Sequence, residues 1–333
     1  MFAAPDFRPN YTENGDVSLE HQLTRNLALT VSYLYNRGFQ IITTRDLNVG
    51  PLSDTPFTYR INDVNGNQVG TYSTLVYQTA RRVDTRYQRV LQVETGGKSW
   101  YDALAVALKG KVGSDVVYNL AYTWSHAIDL GQGQGDDNVN RFGSVLSLNN
   151  LYNGDFRADK ATSQLDQRHR LVFSWVAQHN FTKRNDAFSK YVLNNWQLSG
   201  VLTISSQRPT FANIFVQNAI PGLVTQFFTL NGFGGDTRVP FWETNAARLD
   251  GVDKLDARIT KALPISERFK LTLNFEAFNV TNTPYNTNIN HQAYIANLGV
   301  LTPSPGYGDG TASAGYPDGT NVRRAQVSLR LVF

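Results

Sequence analysis

A chain of 333 residues with 41% apolar and 17% charged residues falls in the range of folded proteins and can hold one large β domain or two ordinary ones, so disorder throughout is excluded. The absence of cysteine excludes disulfides and thiolate metal ligands or nucleophiles, and sixteen Tyr and nineteen Phe against a single Met favour strands over helices. The net charge of +4 does not mark a nucleic-acid binder, because Lys and Arg are spread along the chain and mostly alternate with apolar residues. One cluster stands out, Arg81, Arg82, Arg86 and Arg89, and it reads either as a solvated loop or as a contact for a phosphate-bearing lipid or ligand.

The opening MFAAPDFRPNYTENGD lacks the charged start, apolar core and cleavage site of a signal peptide. No apolar run approaches the ~18 residues that a membrane-spanning helix needs, which leaves spanning by strands open. In VSLEHQL, residues 17–23, Val17, Leu19 and Leu23 face away from Ser18, Glu20 and Gln22, and a turn at Thr24-Arg25-Asn26 leads into LALTVSYLYNR. There Leu27, Leu29, Val31, Tyr33 and Tyr35 make an apolar row.

A long Asn-, Thr-, Gly- and Pro-rich stretch near 38–98 follows, and then the period of two resumes. WYDALAVALKGKV (100–112) sets Trp100, Leu104, Val106 and Leu108 against Ala103, Ala105, Ala107, Lys109 and Lys111; it turns through Gly-Ser-Asp into VVYNLAYTWSHA. A second long stretch, near 127–165, contains GQGQGDDNVN. RHRLVFSWVAQH then sets Leu171, Phe173 and Trp175 opposite Arg170, Ser174 and Gln178, and NNWQLSGVLTISS follows after a medium turn through KRND. A third long stretch, near 207–250, precedes KLDARITKAL and RFKLTLNFEAFN, whose hairpin puts Asp256, Arg258, Lys270 and Glu276 on one face. The last stretch, near 280–321, leads to RRAQVSLRLVF, where Arg324, Gln326, Ser328 and Arg330 oppose Ala325, Val327, Leu329, Leu331 and Phe333.

Nine strands of about ten residues, joined alternately by short turns and by loops of ~40 residues or more, are the pattern of an outer-membrane barrel. Aromatics near the ends of the apolar rows, at Trp100, Tyr122, Trp124, Trp175, Trp196 and Phe333, suit girdles at two water interfaces. A large soluble all-β protein, binding or hydrolysing carbohydrate, is the alternative that the rows alone leave open, since buried sheet faces also alternate.

The fold class expected is therefore all-β: an antiparallel transmembrane barrel portion with short periplasmic turns and long extracellular loops. The lumen-facing candidates are Lys109, Lys111, Arg170, Asp256, Arg258, Lys270, Glu276, Arg324 and Arg330, with ligand contacts expected in the four long loops. Asp256 and Glu276 read as members of a salt-bridge ladder rather than as acid and base, and no catalytic residue is assigned. Asp136, Asp137, Asp309 and Asp318 lack the spacing of a calcium loop, His21, His126, His169, His179 and His291 lack metal-ligand spacing, and no cofactor pattern is found. Asn279-Val280-Thr281 is a sequon without meaning in a bacterial outer membrane.

Together LTRNLALTVSYLYNRG, SWYDALAVALKGKV, YNLAYTWSHAID, DQRHRLVFSW, NNWQLSGVLTISSQRP, LDARITKALPISERFKLTLNFEAFNVTNTP and AQVSLRLVF resemble, in order, the C-terminal barrel of the TonB-dependent receptors, closest to the Oar-like branch common in Acidobacteria. The resemblance spans nearly the whole chain from about Tyr11. It implies a barrel of 22 strands of which residues 1–333 are the C-terminal part, a plug domain, import of a siderophore, oligosaccharide or peptide powered through TonB, and a final strand with Phe333 read by the barrel assembly machinery. A passive porin or structural barrel is the alternative function. The plug, TonB box and earlier strands of that family are not found here. Because nine is odd and both chain ends of such a barrel are periplasmic, at least one strand upstream of Asp16 is expected to be missing, with Met1 an internal residue.

Overall fold

The structure, a computed structural model, describes residues 2–130, 160–184, 186–224, 230–231, 239–266, 268–310 and 323–332. Its main feature is a wall of nine strands: β1 (Tyr11–Thr24), β2 (Leu27–Asp46), β3 (Leu91–Val112), β4 (Val116–Asp129), β5 (His169–His179), β6 (Trp196–Ser205), β7 (Val252–Pro264), β8 (Lys270–Phe278) and β9 (Arg324–Val332). Each is antiparallel to its neighbours in sequence, and β1 and β9 form the two edges. The nine expected strands are all present in the expected order. Three of them are markedly longer than expected: β1 begins at Tyr11, β2 continues to Asp46 and β3 begins at Leu91, so part of the loop drawn at 38–98 is wall strand.

The register places the two sets of side chains on opposite faces. One cross-strand rank reads Gly110, Tyr118, Trp175, Gly200, Ala257, Ala277 and Ala325. The rank beside it on the other face reads Lys111, Val117, Val176, Ser199, Arg258, Glu276 and Gln326. A slip of one residue would exchange the faces in full. On the apolar face three glycines each lie opposite an aromatic ring: Gly15 opposite Tyr35, Gly110 opposite Tyr118 and Gly200 opposite Trp175. A Cβ there would lie 2.3 Å from the Tyr35 ring, 2.4 Å from Tyr118 and 2.4 Å from Trp175, so each ring is seated on bare backbone.

The apolar rows lie open. Val17 is 74% exposed, Leu19 70% and Leu329 66%, which is the reverse of a sandwich, whose apolar faces meet each other. From Trp100 to Val112 an ideal strand tilted by ~40° and rising ~3.3 Å per residue gains about 30 Å of height, enough for a hydrocarbon layer. Arg37 and Asp102 pair at 2.7 Å at the long-loop end of this face, beside Trp100.

The described parts of the first, third and last long loops, unlike the wall, are folded against one another. Five short strands, Asn213–Asn218, Gln292–Asn297, Val300–Pro303, Phe57–Asn62 and Gln68–Thr74, form a second sheet in that order, taking pieces from three different loops. Two of its pairings are parallel, Asn213–Asn218 with Gln292–Asn297 and Val300–Pro303 with Phe57–Asn62. Its tight hairpin turns on Leu298 and Gly299, both at positive φ (46° and 87°), the geometry that matches strand twist. Tyr59, Ile214, Val216, Val239, Leu249, Ala296 and Leu301 form the buried apolar cluster of this cap.

Candidate functional site

The charges anticipated for one face of the wall are found there, but at different heights. Lys111, Arg258 and Glu276 share one rank; Lys109 and Asp256 share the next, through Asn119, Ser174 and Val201. Arg170, opposite Thr123 and Ser205, and Arg324, opposite Phe278, stand near the long-loop end. Lys270, opposite Pro264 and Val332, and Arg330, opposite Thr272, stand toward the short turns. Phe333, Asp136, Asp137 and Asp318 lie outside the described residues.

Two ion pairs organise this face. Arg258 pairs with Glu276, which also accepts a hydrogen bond from the Gln326 amide, so one carboxylate joins three adjacent strands. Lys254 Nζ lies 3.2 Å from Asp256 Oδ2, while Asp256 Oδ1 accepts the Asn279 N–H at 2.8 Å. The two carboxylates are thus engaged by separate cations. Asn279 adopts positive φ (50°) and its own side chain accepts the Thr283 N–H at 3.2 Å, so the sequon asparagine is a buried device that ends β8. A hollow of about 750 Å³ reaches the short turn at Arg25 and Asn26, and its lining includes Lys109, Asn119, Ser174, Ser199, Arg258 and Glu276.

The cap adds aromatic surface. Trp242 lies with its ring centroid 5.7 Å from Tyr294 and 5.8 Å from Tyr307, and Phe241 lies 5.5 Å from Tyr294 and 5.4 Å from Tyr72. All five rings are half-buried, and burial pushes the Tyr294 and Tyr307 phenols up. Such a cluster presents π faces with polar tips, which suits flat or ring-shaped ligands.

The basic cluster of the first loop is largely tied up within that loop. Arg81 pairs with Asp54, whose carboxyl it holds below the usual range, and Arg86 does the same for Asp84 at 2.6 Å. Asp46 is fully buried beyond the apolar belt; it accepts the Asn48 and Val90 N–H groups, each at 2.9 Å. Burial pushes its carboxyl up, against the pull of those bonds and of Arg82 and Arg89. Glu94, paired with Arg45 at 3.1 Å, is also pushed up by burial.

Four of the five histidines have polar neighbours among the described residues. His126 meets Thr162, His169 meets Tyr122, His179 meets Asp115, and His291 stacks on Phe211 at 4.0 Å; His21 stands on the apolar face of β1 opposite Leu29. Among the described residues no cluster of three or more His, Asp or Glu is placed to hold a metal. Asp309, in the last loop, instead accepts the Asn290 N–H through its main-chain carbonyl.

Sequence reading missed the cap and its aromatic cluster. The available signals were the short alternations FTYRIN and QVGTYST around the turn residues of DVNGN, and AYIANLGVLTP with its Leu-Gly turn.

The outer membrane beta barrel domain family matches residues 1–326. A search of curated proteins finds no match. Among solved structures, the chain is similar to the outer membrane transporter YddB from Escherichia coli, with 12% identity and a TM-score of 0.49 over 98% of this chain and 33% of that one. It is also similar to BauA, the ferric preacinetobactin receptor from Acinetobacter baumannii, with 11% identity and a TM-score of 0.44 over 98% and 30%. The ferripyoverdine receptor of the outer membrane of Pseudomonas aeruginosa follows with 10% identity and a TM-score of 0.43 over 98% and 27%. The chain thus spans a third or less of the length of these proteins. With nine strands that expose an apolar face, oppose it with a charged one and carry their long loops at one end, the chain belongs to the outer membrane beta barrel domain family, and its place is the outer membrane.

Proposed function

We propose that the chain forms part of the wall of a TonB-dependent receptor, which captures a ligand at the long-loop end and imports it past the charged face. The observation that carries this reading is a folded, aromatic-bearing cap built from three loops above ion-paired ranks, since a selective receptor uses such a cap and a passive pore has no need of it. The long loops are then external, the short turns periplasmic, and Lys109, Lys111, Arg170, Asp256, Arg258, Lys270, Glu276, Arg324 and Arg330 line the lumen. The sequence resemblance points the same way and supplies the class of cargo: a siderophore, an oligosaccharide or a peptide. In this reading the TonB complex acts on the receptor's plug, and the barrel assembly machinery reads the closing strand with Phe333. No catalytic role is assigned, because Asp256 and Glu276 are engaged with Lys254 and Arg258.

The small polar side chains Asn119, Ser174 and Ser199 around the hollow favour a second reading, a passive porin-like barrel. Reconstitution into planar bilayers and vesicles separates the two. Saturable binding of a ferric siderophore, oligosaccharide or peptide from a defined panel, without steady conductance, is expected of the receptor. Steady ohmic conductance with no saturable binding would establish the pore.

A further inference from the structure

A buried charge stands at one position where the alternation calls for an apolar side chain. Lys261 belongs to the apolar rows of β7, opposite Trp196 and Leu273, and is 6% exposed. What covers it is the connection between β5 and β6, through residues 186–195. Lys261 Nζ donates to the Val192 carbonyl at 3.2 Å and to the Asn194 carbonyl, and it lies 4.9 Å from the centroid of the Trp196 ring. Trp196 Nε1 donates to the same Val192 carbonyl at 2.8 Å. The short helical turn Ser189–Leu193, started by Asp186 accepting the Ser189 N–H and Oγ–H, is thereby fastened onto the apolar face at its short-turn end.

A connection placed there presents its own side chains beside the belt. Phe181 is 67% exposed and Phe188 60%, with Tyr191 and Val192 also open, and these continue the exposed apolar rows of the wall. Lys183, Arg184 and Lys190 are interleaved with them, three cations against the one carboxylate of Asp186. Aromatic bodies with basic tips at the edge of a hydrocarbon layer match a headgroup layer of opposite charge.

We propose that residues 180–184 and 186–195 are an interfacial anchor: Phe181, Phe188 and Tyr191 bed into the lipid boundary, and Lys183, Arg184 and Lys190 bind the phosphates of anionic phospholipid. This rests on the outer-membrane reading. The occupant is a lipid surface, chosen because the patch is continuous with the membrane-facing rows and opposite in charge to an anionic headgroup.

The chain has no cysteine, so single spin labels can be placed on the full-length protein in vesicles of phosphatidylcholine and phosphatidylglycerol. Labels go at Phe188→Cys, at Ile259→Cys in the apolar rows and at Val64→Cys on the cap. Expected are lipid-type oxygen accessibility at 188 and 259 and aqueous accessibility at 64. An aqueous label at 188 with a lipid-type label at 259 overturns the anchor alone, whereas an aqueous label at 259 overturns the barrel reading itself. The wild-type protein is expected to associate with spin-labelled phosphatidylglycerol more strongly than with phosphatidylcholine. The K183Q/R184Q/K190Q variant should lower that preference, by up to about fivefold per neutralised side chain. An unchanged preference overturns the headgroup assignment.

Discussion

The Tyr59 hydroxyl donates a 2.9 Å hydrogen bond to the carbonyl of Leu230, and through it the first long loop is tied to the third. Tyr59 is 1% exposed, and its ring stands between Phe57 at 4.8 Å and Tyr72 at 6.2 Å. Tyr59→Phe keeps the ring and leaves one carbonyl without its donor, a loss of about 1 kcal/mol from the cap. Tyr59→Ala also opens a cavity and costs about 3–5 kcal/mol, enough to release the cap. Limited proteolysis reports the difference: cutting between residues 57 and 74 should rise steeply in Tyr59→Ala and slightly in Tyr59→Phe, with the wall uncut in both.

Removing Arg258 strands Glu276 on a face where that carboxylate is 7% exposed. Because Arg258 itself is about half exposed, the cost of Arg258→Ala is set at about 1–2 kcal/mol rather than the value of a fully buried pair. Arg258→Ala/Glu276→Ala should cost less than the sum of the single variants. Urea unfolding of the four proteins in lipid vesicles closes the cycle; strict additivity would show that the pair contributes nothing.

Gly200→Ala introduces a methyl into the space of the Trp175 ring, whose far edge must move. The expected cost is about 1–3 kcal/mol, and Gly200→Ala/Trp175→Phe should recover part of it. Trp175 fluorescence should shift in the single variant, since its indole is pushed off the backbone. A silent spectrum and unchanged stability would refute the seating of ring on glycine.

Asp46 makes the loop end of β2 more stable in acid. Its folded carboxyl is raised by burial above the ~3.9 of an unfolded aspartate, so at neutral pH the ionised form subtracts from stability. As pH falls from above the raised value toward ~3.9, the folded state takes up the proton first, and this contribution to stability rises. Asp46→Asn, which can still accept from Asn48 and Val90, should stabilise this corner at pH 7 and remove that part of the pH dependence. Hydrogen-exchange protection of the Val90 amide, followed from neutral pH down toward ~4, is the measurement.

The wall was readable because its chemistry is local to each strand. Leu329 and Arg330 declare their faces by alternation alone, and the register of β8 with β9 places Arg330 opposite Thr272 on the polar face, as the pattern required. The cap was not readable for the opposite reason: Ile214 is buried by partners that lie far along the chain, in segments too short to announce a period. Lys261 was an intermediate case. Its place in an apolar row could be read from KLDARITKAL, but the carbonyls of Val192 and Asn194 that accommodate it come from a connection whose path over the face no local pattern encodes. The charged candidates were likewise legible as one face and illegible as ranks, since height depends on the stagger between strands.

The parallel bridge between Arg60 and Val300 joins positions ~240 residues apart, and that gives the molecule an order in time. The short-turn hairpins of the wall bring together neighbouring segments, whereas the roof must wait until segments far apart along the chain have met. The early segment holding Tyr59 therefore remains without its shelter while the wall assembles, and the roof is the last part to close.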